Sequence, residues 1–120
     1  MKEQNEISTV YMLDALDEAR TAAAAGEVPV GACVVCGGEI ISRAHNLVET
    51  RSDASAHAEL LALSAAAKKL GTRRLNDCIL YVTLEPCAMC MGAIMNFRIA
   101  AVVLTPRPDA VFQGANCRAG

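Results

Sequence analysis

The apolar positions of this 120-residue chain recur with two different periods, and the switches between them mark out its elements. Between about Ser8 and Ala25, Met12, Leu16, Ala19 and Ala23 repeat at helical spacing while Asp14, Asp17 and Glu18 fall mostly on the other side. That pattern predicts an amphipathic helix ending near Gly26. Val28 to Val35 is an apolar run of strand length, Gly37-Gly38 is a turn pair, and Glu39 to Ser42 resumes extended chain, so a β-hairpin is expected. His45 to Ala54 is polar and reads as a loop. Ser55 stands where an N-cap would for a helix carrying Leu60, Leu61 and Leu63, with Lys68 and Lys69 in its last turn and Gly71 just beyond.

Cys78 to Leu84 is a continuous apolar run, as expected of a parallel strand buried on both faces. Pro86 suits the first turn of a helix running to about Phe97, where its missing N–H costs nothing, and Ile99 to Leu104 is a further strand. From Thr105 onward prolines and glycines dominate, and loop with at most one helical turn is expected. The order implies an α/β fold of three layers, α/β/α, in which helices cover both faces of a mixed sheet built from an N-terminal hairpin and parallel strands. In such folds the site lies at the carboxyl ends of the parallel strands.

Composition changes this picture in one respect. The length suits a single domain spanning residues 1–120, with 105–120 an atypical segment, but 22 residues are alanine and only four are aromatic. Small side chains remove little apolar area from water, so close packing, a bound metal or a partner subunit is expected to add stability. The start M-K-E-Q-N-E-I-S is polar and acidic, and no run approaches the roughly 20 apolar residues of a membrane span. A cytoplasmic protein with no membrane association is expected. In a reducing compartment its six cysteines point to metal or catalysis before disulfides. The net charge of −2 leaves no global footprint for nucleic acid, and Lys68, Lys69, Arg73 and Arg74 read as a solvated helix end.

The chemistry-bearing residues are few. Cys87 and Cys90, three apart at a helix start, share one face, and the positive helix end favours the thiolate form that binds metals. A redox dithiol would occupy the same place, so a further ligand decides. S-A-H-A-E supplies one in His57, with Glu59 two residues on. Three ligands, His57, Cys87 and Cys90, leave one tetrahedral position open, which is the catalytic pattern for Zn2+. Glu59 is the carboxylate placed to move protons of an activated water. Taken singly, His57 and Glu59 are ordinary first-turn residues; it is their conjunction with a proline-led cysteine pair that carries weight. A second C-x-x-C, Cys33 and Cys36, leaves open a non-enzymatic four-cysteine zinc-binding module, although an odd separation on a strand points side chains to opposite faces. Cys33, Cys36, Cys78 and Cys117 otherwise read as small hydrophobes, and His45 as a weaker ligand in a loop without a companion carboxylate.

His57-Ala58-Glu59 with Pro86-Cys87-Ala88-Met89-Cys90 resembles the H-x-E and P-C-x-x-C signature of the cytidine and deoxycytidylate deaminase superfamily. E-V-P-V-G-A (Glu27 to Ala32), Asn46 ahead of D-A-S-A-H-A-E, and L-Y-V-T-L-E-P-C-A-M-C-M-G-A-I (Leu80 to Ile94) are similar to its bacterial tRNA-specific adenosine deaminase branch, over roughly residues 8 to 104. The resemblance implies hydrolysis of adenosine to inosine, with Glu59 delivering protons to the ring nitrogen and then to the departing ammonia. It further implies substrate contact by Asn46, a pocket wall from Val28 and Pro29, and a backbone N–H of Ala58 offered to the base. A homodimer and the tRNA anticodon loop as partner follow from it too. After Leu104 the text L-T-P-R-P-D departs from the branch's F-G-A-x-D: Pro108 occupies the ungapped position, and Asp109 matches only with an insertion. The acidic balance and the short ending favour the alternative, a deaminase of a free nucleobase or nucleoside of guanine or cytosine type, while E-V-P-V-G-A and the detailed helix match favour action on tRNA, the leading expectation.

Overall fold

The computed structural model describes residues 2–104, with side chains from residue 9 onward, so the expectations for 105–120, Pro108, Asp109 and Cys117 included, fall outside the described residues. The order is α1 (Lys2–Ala24), β1 (Gly31–Cys36), β2 (Glu39–His45), α2 (Val48–Arg51), α3 (Ala58–Leu70), β3 (Cys78–Val82), α4 (Ala88–Asn96) and β4 (Ala101–Leu104). The four strands form one mixed sheet in the order β2-β1-β3-β4, antiparallel except for the β3–β4 pair. The expected α/β architecture is what forms, though β3 is parallel to only one of its neighbours. No helix among the described residues is long and apolar enough to cross a membrane.

Alternation along the strands sorts the core into two layers. Ala32 and Val34 of β1 with Cys78, Leu80 and Val82 of β3 pack against Ala58, Ala62, Leu63 and Ala66 of α3 and Ile94 of α4. Cys33, Val35 and Tyr81 turn the other way, onto Met12 and Ala15 of α1. The buried face of α1 runs through Met12, Ala15, Ala19 and Ala22, while Ala23 is exposed; the stripe is rotated from the expected one because Ala22 continues the face at three residues' spacing.

The alanine-rich surfaces let backbones approach closely. A Cβ built on Gly31 would stand 2.0 Å from the Ala15 carbonyl oxygen, 2.5 Å from the Ala19 nitrogen and 2.8 Å from the Glu18 Cβ. Strand β1 therefore enters the sheet directly against the backbone of α1, and only glycine fits there. At the hairpin, Gly37 and Gly38 both have positive φ, 60° and 80°, as a two-residue turn matched to strand twist requires.

Three local expectations are corrected. Strand β2 continues to His45, and the expected loop contains the short helix α2. Ser55 does not cap α3: its N–H and hydroxyl both donate to Asp53 Oδ1, at 2.9 and 2.7 Å, while His57 takes the N-cap position. Pro86 precedes the N-cap Cys87 of α4 and so lies just outside the helix. At Ser55 a local side chain–backbone turn onto Asp53 won over the simplest capping register.

Candidate metal centre and active site

The carboxyl end of β3 leads through Thr83, Leu84, Glu85 and Pro86 to α4, whose first turns carry Cys87 and Cys90. The start of α3, with His57 as N-cap, meets the same edge. His57 Nδ1 lies 3.8 Å from Cys87 Sγ and 3.5 Å from Cys90 Sγ, and all three ligand atoms fall within 4.8 Å of one another. Tetrahedral zinc bonds of about 2.3 Å to sulfur and about 2.0 Å to nitrogen place neighbouring S and N ligands about 3.5 Å apart, so this donor set fits Zn2+. His57, Cys87 and Cys90 are all buried. Among the described residues this is the group of three or more His, Cys, Asp or Glu side chains able to hold an ion.

The four-cysteine alternative fails on geometry. Cys33 packs toward α1 and Cys36 toward α3, so the two thiols leave opposite faces of β1. Burial, helped by the charges of Asp14 and Glu18, pushes the Cys33 thiol up to about 12, which keeps it neutral. His45 also departs from expectation: it ends β2, and its Nδ1 stands 2.7 Å from the Glu18 carboxylate.

The buried polar side chains among the described residues are Glu27, Asn46, His57, Glu59 and Thr83. Buried polar groups persist where they are hydrogen-bonded or chemically employed. Glu59 is 0% exposed in the first turn of α3, two residues after His57. Thr83 ties strand entry to strand exit: its hydroxyl accepts the Gly31 N–H at 3.0 Å and its own N–H donates to the Gly31 carbonyl.

Asn46 and Glu27 solve one problem, capping, in the same way. Neither N-cap residue of α2 or α3, Leu47 or His57, makes a side-chain cap bond. Asn46 Oδ1 instead accepts the Ala58 N–H at 2.9 Å, and its own N–H donates to the Val30 carbonyl. The Ala58 amide expected to meet the base donates to Asn46 in this structure. Glu27 accepts the N–H groups of Glu49 and Thr50 at 3.1 and 2.6 Å and the Thr50 hydroxyl at 2.6 Å. These bonds, the Thr50 hydroxyl first, hold its carboxyl below the usual range against the opposing pull of burial. Glu27 stands in the sequence only as the first residue of E-V-P-V-G-A, a lone acid beside Gly26 ahead of an apolar run, with no local sign of its capping role. It anchors α2 to the segment bearing Val28, which is 44% exposed, and Pro29, also exposed.

Comparison with known proteins agrees with this geometry. The family model described as the cytidine and deoxycytidylate deaminase zinc-binding region matches residues 5–106. A tRNA-specific adenosine deaminase of Bacillus subtilis (strain 168) is 54% identical over 94 residues, which are 78% of this chain and 58% of that protein. The chain thus spans less than two thirds of that relative's length. A solved structure from studies of A-to-I editing by tRNA:A34 deaminases superposes with a TM-score of 0.77 at 41% identity, covering 90% of this chain and 80% of its own. The guanine deaminase of Bacillus subtilis superposes with a TM-score of 0.78 at 42% identity, covering 81% and 62%. The chain belongs to the cytidine and deoxycytidylate deaminase family.

Proposed function

We propose that this family member is a cytoplasmic, zinc-dependent hydrolytic deaminase that converts adenosine to inosine in RNA, at the wobble position of the tRNA anticodon loop, with release of ammonia. The observation that carries the chemistry is the wholly buried Glu59, two residues beyond His57 in the first turn of α3, where His57 converges with Cys87 and Cys90 as a group able to hold a metal ion. A buried carboxylate so close in the chain to a metal-ligating histidine is a candidate for proton transfer. Similarity to tRNA-specific adenosine deaminases supports the substrate.

His57, Cys87 and Cys90 would hold the zinc, which when bound would supply the Lewis acidity that makes water a nucleophile near neutral pH. Glu59 takes a proton from that water, passes it to N1 of the adenine ring, and gives the next to the amino group leaving C6. The C6–N bond breaks and the water oxygen stays on C6. Asn46, its Oδ1 held by Ala58, has its Nδ2 hydrogens left to meet an acceptor on the base. Val28 and Pro29 form the outer wall of the pocket, and Ala58 acts through Asn46.

Met91 and Met95 lie exposed along α4, Met95 at 70%, with Met89 beside them. This stripe on the helix that carries the ligands supports a homodimer, in which a second copy covers it and compensates the aromatic-poor core. Sedimentation tests this directly: Met95→Lys should shift the protein to monomer.

Likeness to guanine deaminase supports a second reading, action on a free base. A screen of the zinc-loaded protein with tRNA, single-stranded nucleic acid, nucleosides and free bases, scored by ammonia release and product mass, separates the two. Inosine in tRNA is the expected product. Turnover of guanine alone would replace the substrate, and turnover of nothing would sink both readings.

A further inference from the structure

Cys36 and Cys78 are register partners across the antiparallel β1–β3 ladder. Their side chains leave the same face of the sheet, Cys78 within the core beneath α3 and Cys36 packed against it. The hydrogen-bond phase of the ladder fixes how closely they approach. Thr83 N–H donates to the Gly31 carbonyl, so Gly31 and Thr83 form a hydrogen-bonded pair, as do Cys33–Tyr81 and Val35–Ile79 in steps of two. Cys36–Cys78 falls in the other phase. In agreement, the Cys78 carbonyl turns to the opposite neighbour and accepts the Ala100 N–H. Non-hydrogen-bonded antiparallel pairs hold their Cα atoms about 4.5 Å apart, within the span a disulfide bridges.

The environments of the two thiols differ. Cys36 is half-buried beside the hairpin turn, whereas Cys78 is enclosed. Burial first, then the hydrogen bond that the Cys78 thiol donates to Cys36 and the nearby charges of Cys36 and Asp77, push the Cys78 thiol up to about 12. Cys78 is thus a neutral thiol. Capping the Cys36 sulfur removes only the Cys36 share of that effect and leaves burial, the larger cause, in place.

We propose that Cys36 and Cys78 form a modification site, a cross-strand dithiol that reduces low-molecular-weight disulfides such as glutathione disulfide and closes into an intramolecular disulfide. The Cys36 thiolate attacks one sulfur of glutathione disulfide, forming a mixed disulfide and expelling one glutathione thiolate, which takes up a proton. Cys78 then gives up its proton and attacks Cys36 Sγ; the Cys36–glutathione bond breaks and the second glutathione leaves as thiol. Two protein thiols lose two electrons and two protons, and one small disulfide becomes two thiols. The bridge closes the chain between residues 36 and 78, which carries Asn46, His57 and Glu59, without using a metal ligand.

The test treats native, zinc-loaded protein with excess glutathione disulfide, blocks remaining thiols and maps the peptides by mass, alongside zinc content and Tm. The expected result is a Cys36–Cys78 cross-linked peptide, protein mass lower by the two thiol hydrogens, zinc retained, a higher Tm, and full reversal by dithiothreitol. In Cys78→Ser, or in Cys78→Ala should a buried hydroxyl unfold the protein, the reaction should stop at a stable glutathione adduct on Cys36. A lasting adduct on Cys36 of the wild type, a bridge from Cys36 to any other cysteine, or oxidation of Cys87 and Cys90 with zinc release ahead of any Cys36–Cys78 bridge would each overturn the proposal.

Discussion

Two cysteine pairs with identical spacing, Cys33–Cys36 and Cys87–Cys90, end in opposite chemical situations. On β1 the side chains alternate, so an odd separation sends Cys33 to the α1 layer and Cys36 to the α3 layer. On α4 the same separation is nearly one turn, so both sulfurs face His57. A C-x-x-C is therefore no metal motif in itself. The period of the element carrying it decides whether two thiols can meet one ion. Location adds the rest: Cys87 and Cys90 sit at the start of a helix that follows the carboxyl end of a strand, where a second helix brings His57 and Glu59.

The contrast can be broken most severely at the helix pair. Cys87→Ala and Cys90→Ala should each lose the zinc, from one equivalent to near none by metal analysis, with turnover at background; retention of metal by either variant would mean a different ligand set. Glu59→Gln should separate binding from chemistry, keeping zinc while deamination falls by about 10²- to 10⁴-fold, the usual worth of a positioned acid–base group. Activity within a factor of a few of wild type would remove Glu59 from its role.

On the strand side the effects are on stability. Gly31→Ala drives a methyl into the α1 backbone and should cost roughly 3 kcal/mol in denaturant unfolding, because neither contacting element can yield without moving the other. The double variant Cys33→Ala, Cys36→Ala should keep its zinc and lose only about 1–2 kcal/mol, the cost of two small cavities. Zinc loss there would reverse the assignment of the two pairs.

The buried glutamates draw the same line between chemistry and structure at smaller amplitude. Glu27 has its carboxyl held below its ordinary value of 4.5 in the folded state. Its contribution is accordingly complete above that value and is lost as pH falls through the lower folded one. Glu27→Gln should flatten that part of the acid decline in Tm, measured between about pH 3 and 7, because an amide does not titrate.

Most elements were legible because their signals are local. The αL glycines at Gly26 and Gly71, the paired glycines of the hairpin and the apolar run of β3 each depend on residues within a few positions. The ligand trio was legible for the same reason, two short motifs at two helix starts. The misses share a different cause. Ser55 offers itself as a cap, yet Asp53 lies closer to its N–H and hydroxyl, and the amide of α3 that needs an acceptor finds Asn46 instead. Helix α2 is short and starts at a residue that cannot cap it, so nothing local predicts it; Glu27, on another segment, makes it possible.

By itself, then, the sequence determined the succession of helices and strands, the conversion of one C-x-x-C into a shared face and the other into a split one, and the chemistry of a histidine, a carboxylate and two thiols. Those follow from side-chain period and from the intrinsic properties of the residues. Tertiary structure alone decided that Asn46 and Glu27 hold the helix starts around the site, that the Ala58 amide donates to Asn46, that Gly31 must lie on bare helix backbone, and that Cys36 meets Cys78. Each of these joins residues far apart along the chain, and which distant donors and acceptors pair is settled only when the sheet register and the helix packing bring them together.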